Sequence, residues 1–213
     1  MTPIPEHLDP LSTDQQKVVE RFRSTLGDAV LRERSFRGQL SIWIKVESIL
    51  EALKLAKTDP ALDCALLSDL TALDLLSRQE PGEPRFEIVY NLYSFRHNRR
   101  LLLKTGVNEG ESVPTATTIW PGANYMEREV WDLFGVRFEG HPNLERILTA
   151  DGWLGHPLRK DFPTMSDQFP NVENRWRSRT RRRSGSGIFS TRTRPISRRS
   201  SPRSTWLRGI RAG

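Results

Sequence analysis

The sequence has one cysteine, Cys64, in 213 residues. A lone thiol cannot close an internal disulfide, and it cannot hold an iron–sulfur cluster or a structural zinc site. Long apolar runs are also missing. No stretch approaches the roughly 18–20 residues that a membrane-spanning helix needs, so any place at a membrane is expected to be indirect, through partners. Lys and Arg are absent from the first fourteen positions, which carry Glu6, Asp9 and Asp14. That start is unlike a secretory signal or an Arg-rich, acid-poor presequence, and the chain is expected to be cytosolic as made. Hydrophobic residues are scarce at 36%, and the scarcity is uneven.

The unevenness is electrostatic. Residues 171–213 hold thirteen Arg, no Lys and a single acid, Glu173, for a net +12. The whole chain is +7, which leaves −5 for residues 1–170. The pI of about 10.1 therefore describes the tail. This Arg, Ser, Gly and Pro composition cannot bury enough apolar surface to fold alone, so 171–213 is expected to be a disordered basic tail. Charge alone would let such a tail contact phosphates. It has only Trp176, Phe189 and Trp206 as aromatics and no nucleic-acid-binding fold signature, so nucleic acid stays a minor alternative confined to the tail and is not an expected partner.

The first 110 residues are periodic. Ser12 and Gln15 fit a capping box ahead of a stripe of Val18, Val19, Phe22 and Leu26, and Gly27 can stop that helix. A strand is expected over 29–36 and a turn at Gly38. Leu40, Ile42, Ile44 and Val46 then alternate with Ser41, Trp43 and Lys45, the period of a strand with one buried face. Ser48 and Glu51 can cap a second helix with Ile49, Leu50, Leu53 and Ala56 inward, ended by Asp59-Pro60. Strands are expected at 64–73, 85–95 and 101–107, with loops at 79–84 and 96–99. Cys64 reads as a small buried apolar residue. The expected fold class is α+β, a mixed sheet of about five strands with two or three helices over residues 10–110.

Residues 111–170 read as an extended C-terminal arm with one helix, 124–134. Asn124 is placed as its N-cap with Glu127 three residues on, and Gly135 as its left-handed stop. Met126, Val130, Leu133 and Phe134 form its apolar face. Arg128 and Asp132, four apart, can pair on the opposite face beside Glu129. No periodic segment follows between 136 and 170, which suggests an arm laid on a partner. His141 and His156 each precede proline and are weighed as structural contacts rather than metal ligands. Glu127, Glu129 and Asp132 lack a nucleophile or pocket, so capping and interface ion pairs are preferred to acid–base catalysis. Arg159 and Lys160 beside Asp161 favour a salt bridge to a partner over lipid binding.

Glu127-Arg128-Glu129, then Asp132-Leu133-Phe134-Gly135, Gly140-His141-Pro142, Arg146-Ile147-Leu148 and Gly155-His156-Pro157-Leu158-Arg159-Lys160-Asp161-Phe162-Pro163 follow one another in that order. Together they resemble the signature of the 30-kDa subunit family of complex I, the C subunits of respiratory NADH–quinone oxidoreductases. The stretches 67–74 and 89–98 are similar to further landmarks of that family. The resemblance spans about residues 10–170. It implies an α+β domain docked beside the quinone-site (49 kDa) subunit and the neighbouring iron–sulfur subunits, on the cytoplasmic side of a bacterial inner membrane.

It further implies no catalytic, cofactor or metal site in this chain, while the whole enzyme uses FMN, iron–sulfur clusters, NADH and quinone. Glu127, Arg128, Glu129, Asp132, His141, Arg146, Arg159, Lys160 and Asp161 are the candidate subunit-interface residues. An equivalent subunit of a membrane-bound hydrogenase or ferredoxin-linked complex is the alternative. The Arg-rich ending departs from the family pattern and is expected to be a frameshifted end, because Arg, Ser, Gly and Pro dominate shifted frames of GC-rich genes.

Overall fold

The computed structural model describes residues 9–78 and 82–163. The basic segment 171–213, the acidic start at Glu6 and the last residues of the expected arm lie outside the described residues.

Helix α1 (Thr13–Leu26) opens on the expected capping box: the Gln15 amide donates to Ser12 Oγ at 3.3 Å, and the Ser12 amide donates to the Gln15 side chain at 3.0 Å. Its Val18, Val19 and Phe22 are buried. Strands β1 (Val30–Phe36) and β2 (Gln39–Ile44) form a hairpin. Its tip, Arg37-Gly38, has positive φ at both residues, the backbone that matches strand twist in a two-residue turn. A short 3₁₀ turn then leads into α2 (Ile49–Thr58). Ser48 makes no side-chain cap there, contrary to expectation, because the tight turn Val46–Ser48 already feeds the helix.

Strands β3 (Leu66–Asp74), β4 (Phe86–Ser94) and β5 (Arg99–Val107) complete a sheet ordered β1-β2-β5-β4-β3. Every pairing is antiparallel except β2 with β5, which is parallel. The register aligns apolar side chains in rows across one face: Ile42 beside Leu103, Leu103 beside Tyr90, Tyr90 beside Leu70. All four are buried. The opposite face is half-polar. There Glu87 accepts from Trp43 Nε1 at 2.6 Å and from Lys104 Nζ at 2.8 Å.

After β5 come β6 (Ser112–Pro114), α3 (Ala123–Phe134) and β7 (Arg137–Glu139). The two short strands pair in parallel, and neither was expected from the sequence. Three-residue strands carry too little alternation to be read. The α+β expectation, a mixed five-stranded sheet with three helices, holds. Val113, Ala116, Ile119, Trp120, Val130, Phe134 and Phe138 belong to the same hydrophobic cluster as the sheet and α1, so the chain after residue 110 closes the core.

Phe22→Ala removes a fully buried ring and is expected to cost about 3–5 kcal/mol. Ser12→Ala, which deletes only the cap, is expected to cost about 1 kcal/mol. Urea unfolding of the two variants checks the ordering.

Candidate subunit-docking site

Helix α3 is the hub of the site, and it starts differently from expectation. Gly122 occupies the N-cap position and Asn124 lies inside the helix, so the Asn124–Glu127 capping box does not form. Glu127 is buried instead. It accepts from the Ala116 amide at 2.6 Å and from Thr115 Oγ1 at 2.6 Å, in the loop that follows β6. With the helix starting at Ala123, Glu127 is its fifth residue, too far along to reach back to the first turn, and its side chain points at the core. Burial pushes the Glu127 carboxyl up to about 7, against the opposing pull of those two hydrogen bonds. His141 stands 4.0 Å away with its side chain wholly buried. Its Nδ1 accepts from the Asn143 amide at 3.0 Å, so Nε2 carries the hydrogen and donates to the Asn124 carbonyl at 3.2 Å.

The expected Arg128–Asp132 pair is absent, because Asp132 points inward and both residues are claimed by the chain that follows. Arg128 donates to the carbonyls of Glu145 and Arg146. Asp132 Oδ2 accepts three consecutive backbone amides, Ile147 at 3.0 Å, Leu148 at 2.8 Å and Thr149 at 2.9 Å. Its Oδ1 accepts from Arg146 Nη1 at 2.6 Å and from Thr149 Oγ1. Burial alone would raise this carboxyl. The hydrogen bonds from Thr149, Leu148 and Arg146 outweigh burial and hold it far below the usual carboxylate range. Arg146 in turn donates to the carbonyls of Trp153 and Gly155, each at 3.0 Å. One buried acid and one arginine thus fix a coil that has no ladder of its own.

The end of the arm is fixed by a second ionic group. Arg85 pairs with buried Asp74 at 3.2 Å, with Glu109 at 2.9 Å and with Asp161 at 2.6 Å. Asp74 also accepts the Lys160 amide at 2.8 Å. Arg159 pairs with Glu109 and donates from Nε to the Phe134 carbonyl at 2.6 Å. His156 Nδ1 donates to the Asp132 carbonyl at 2.9 Å. Burial, first, and the nearby arginines lower its pKa. Gly135 makes this return possible: a Cβ there would lie 2.5 Å from both Arg159 Nη2 and His156 Cδ2. It also has a φ of +79°, so both contact and conformation require glycine.

The structure therefore sorts the nine candidate residues. Glu127, Arg128, Asp132, His141, Arg146, Arg159 and Asp161 all have partners within this chain. Glu129 and the Lys160 ammonium are exposed, and neither has a side-chain partner among the described residues. The same part of the chain also exposes apolar side chains: Leu148 is 61% exposed, Leu154 69% and Tyr125 65%. Sequence reading missed these as site residues. Their signal was weak: leucines without period in a coil, carrying no motif chemistry. It also missed Asp74, Arg85 and Glu109 as site residues: Asp74 ends the landmark stretch 67–74, and all three join the site only through the fold.

Such a fold and site define a small α+β module with a C-terminal arm strapped across one end of its sheet. Residues 42–168 match the family model described as respiratory-chain NADH dehydrogenase, 30 Kd subunit, and the chain belongs to that family. The NADH-quinone oxidoreductase C subunit of Roseiflexus sp. (strain RS-1) is 46% identical over 159 residues, covering 74% of this chain and 89% of that protein. A solved trypsin-resistant fragment of Nqo5 aligns with a TM-score of 0.53 and 32% identity, covering 62% of this chain and 99% of the fragment. A chain in the membrane-bound sulfane sulfur reductase, an archaeal respiratory membrane complex, aligns with a TM-score of 0.57 over 82% of this chain and 95% of that one. At 22% identity that likeness shows the fold alone. No helix among the described residues is long and apolar enough to cross a membrane.

Asp132→Asn turns one acceptor oxygen into a donor facing backbone amides and is expected to destabilise the fold by about 2–4 kcal/mol. Denaturant titration measures it. Glu127 makes a separate pH prediction. Its folded pKa lies above its ordinary value, so the folded state holds the extra proton. The stability it contributes is present below about 4.5 and is lost as pH rises through about 7. Glu127→Gln is expected to flatten that part of the stability–pH profile. An unchanged slope between those pH values would show that another group titrates there.

Proposed function

We propose that this chain is a cofactor-free accessory subunit in the peripheral arm of a proton-translocating NADH–quinone oxidoreductase. It supports electron transfer from NADH through FMN and iron–sulfur centres to quinone, and those groups reside in other subunits. The observation that carries the reading is the arm itself. Asp132 and Arg146 hold it in cis, and it turns exposed leucines, Glu129 and Lys160 outward as a preorganised docking face. The partner we assign to that face is the quinone-site (49 kDa) subunit, with iron–sulfur subunits beside it. The site lies on the cytoplasmic side of the bacterial inner membrane, and contact with the membrane is indirect. The one thiol fits a cofactor-free role: Cys64 is buried, and burial pushes its pKa up to about 11, so it offers no ready thiolate.

The alternative, an equivalent subunit of a hydrogenase-type or ferredoxin-linked complex, makes a different prediction about which electron-input subunits co-purify. A tagged chain drawn from detergent-solubilised membranes is expected to bring down flavin, iron and NADH–quinone activity together. In the same assay Glu129→Lys combined with Lys160→Glu is expected to weaken assembly about tenfold, as for two interface charges. Its own thermal stability and the Michaelis constant for NADH should stay unchanged. Full assembly of the double variant, or an altered Michaelis constant in an intact complex, would contradict the docking role.

A further inference from the structure

At the other end of the sheet from the arm lies a second feature, with no part in the reading above. Strand β4 runs from Phe86, next to the Arg85 ionic group, to Ser94 at this far end, about 30 Å for its nine residues. There the beginnings of β2, β3 and β5, the end of β4 and the N-terminal half of α1 enclose a cleft of about 1190 Å³. That exceeds the roughly 300–1,000 Å³ usual for small-molecule pockets.

The lining is basic. It includes Lys17, Arg21, Arg37, Arg99 and Arg100 against the single acid Asp14, although residues 1–170 are −5 overall. Two of the cations are already neutralised: Lys17 by Asp14 at 3.8 Å, and Arg21 by Asp59. The other three have no carboxylate among the described residues. Arg37 rests on the Phe36 ring 5.2 Å away. Arg99 spends one nitrogen on the Ala61 carbonyl at 3.1 Å, and its Nε is buried with no hydrogen-bond partner. A buried guanidinium N–H without an acceptor costs free energy unless an acceptor arrives.

We propose that this cleft binds an acidic segment of a partner polypeptide, with carboxylates on Arg37, Arg99 and Arg100. Guanidinium forks match carboxylates in pairs. The apolar parts of the rim, Phe95 at 66% exposure and Leu66 at 41%, suit a segment that also carries aliphatic or aromatic side chains. A nucleic-acid strand fits less well. It would extend beyond the cleft over a surface of net negative charge, and of the two aromatics in the lining Tyr93 already packs edge-on against Phe95 at 5.1 Å. A flat anionic membrane cannot enter a concave end. With the arm at one end of the sheet and this cleft at the other, the module would join two partners.

The test is a titration of the full ¹⁵N-labelled chain with a ten-residue Glu/Asp peptide carrying one Phe, followed by NMR. Saturable shifts are expected at the amides of Gly38, Gln39, Asn98 and Arg100 and at Arg99 Nε. Arg37→Asn, which tolerates the same left-handed backbone, together with Arg100→Gln is expected to weaken binding by about tenfold or more with unchanged spectral dispersion. Shifts confined to residues 171–213, or equal affinity in the double variant, would overturn the proposal. So would tighter saturation of the same amides by inorganic phosphate or by a ten-nucleotide RNA. A gain in affinity on removing residues 1–8 would assign the cleft to the chain's own start and would overturn it equally.

Discussion

The Asp132 carboxylate accepts five hydrogen bonds, three from consecutive backbone amides and two from the side chains of Arg146 and Thr149. The coil from Arg146 to Gly155 depends on it, and that coil carries the chain to the Arg85 group that holds the end of the arm. The segment that follows β7 is short of regular structure, so its backbone groups have no ladder to join. A buried carboxylate supplies acceptors for the amides, and Arg146, held by the same carboxylate, supplies donors for the carbonyls of Trp153 and Gly155. Neither charge is tolerable alone in a buried place, and neither is alone. The result is a coil ordered by a polar centre in the way a loop is ordered by a bound ion.

The sheet then acts as a rigid spacer. The apolar rows across β2, β5, β4 and β3 seal against the helices, the opposite face carries Glu87 with Trp43 and Lys104, and a further polar group stands at each end. At the Phe86 end, Arg85 and Asp74 clamp Lys160 and Asp161. At the Ser94 end lies the arginine-lined cleft. A subunit that acts by docking works through its shape and its surface charge, and this fold places each in a fixed position.

The sheet and the first two helices were legible because their periods are long and clean: alternation in β2 and β4, a capping box and apolar stripe in α1. The extent of α3 was legible too, from its apolar face and Gly135. The polar side chains of α3 were not. Glu127 and Asp132 look like surface acids by residue type, and spacing suggested partners within the helix. Their true partners are Thr115, Ala116 and Thr149, more than ten residues distant, and no pattern on one helix can reveal a backbone nest that forms only when the arm returns. Lys160 and Glu129 stood out by motif, but only the structure separates them from the neighbours already consumed in cis. Signature motifs here mark residues that build the arm as much as residues left to meet a partner.

Hydrogen–deuterium exchange at the amides of Ile147, Leu148 and Thr149 in the free, unassembled chain tests that account most directly. Protection there equal to that of the sheet amides would mean that Asp132 orders the arm before any partner arrives. Exchange as fast as in an unstructured peptide, with protection gained only on assembly, would mean that the partner shapes the arm and that the carboxylate cradle is a consequence of docking.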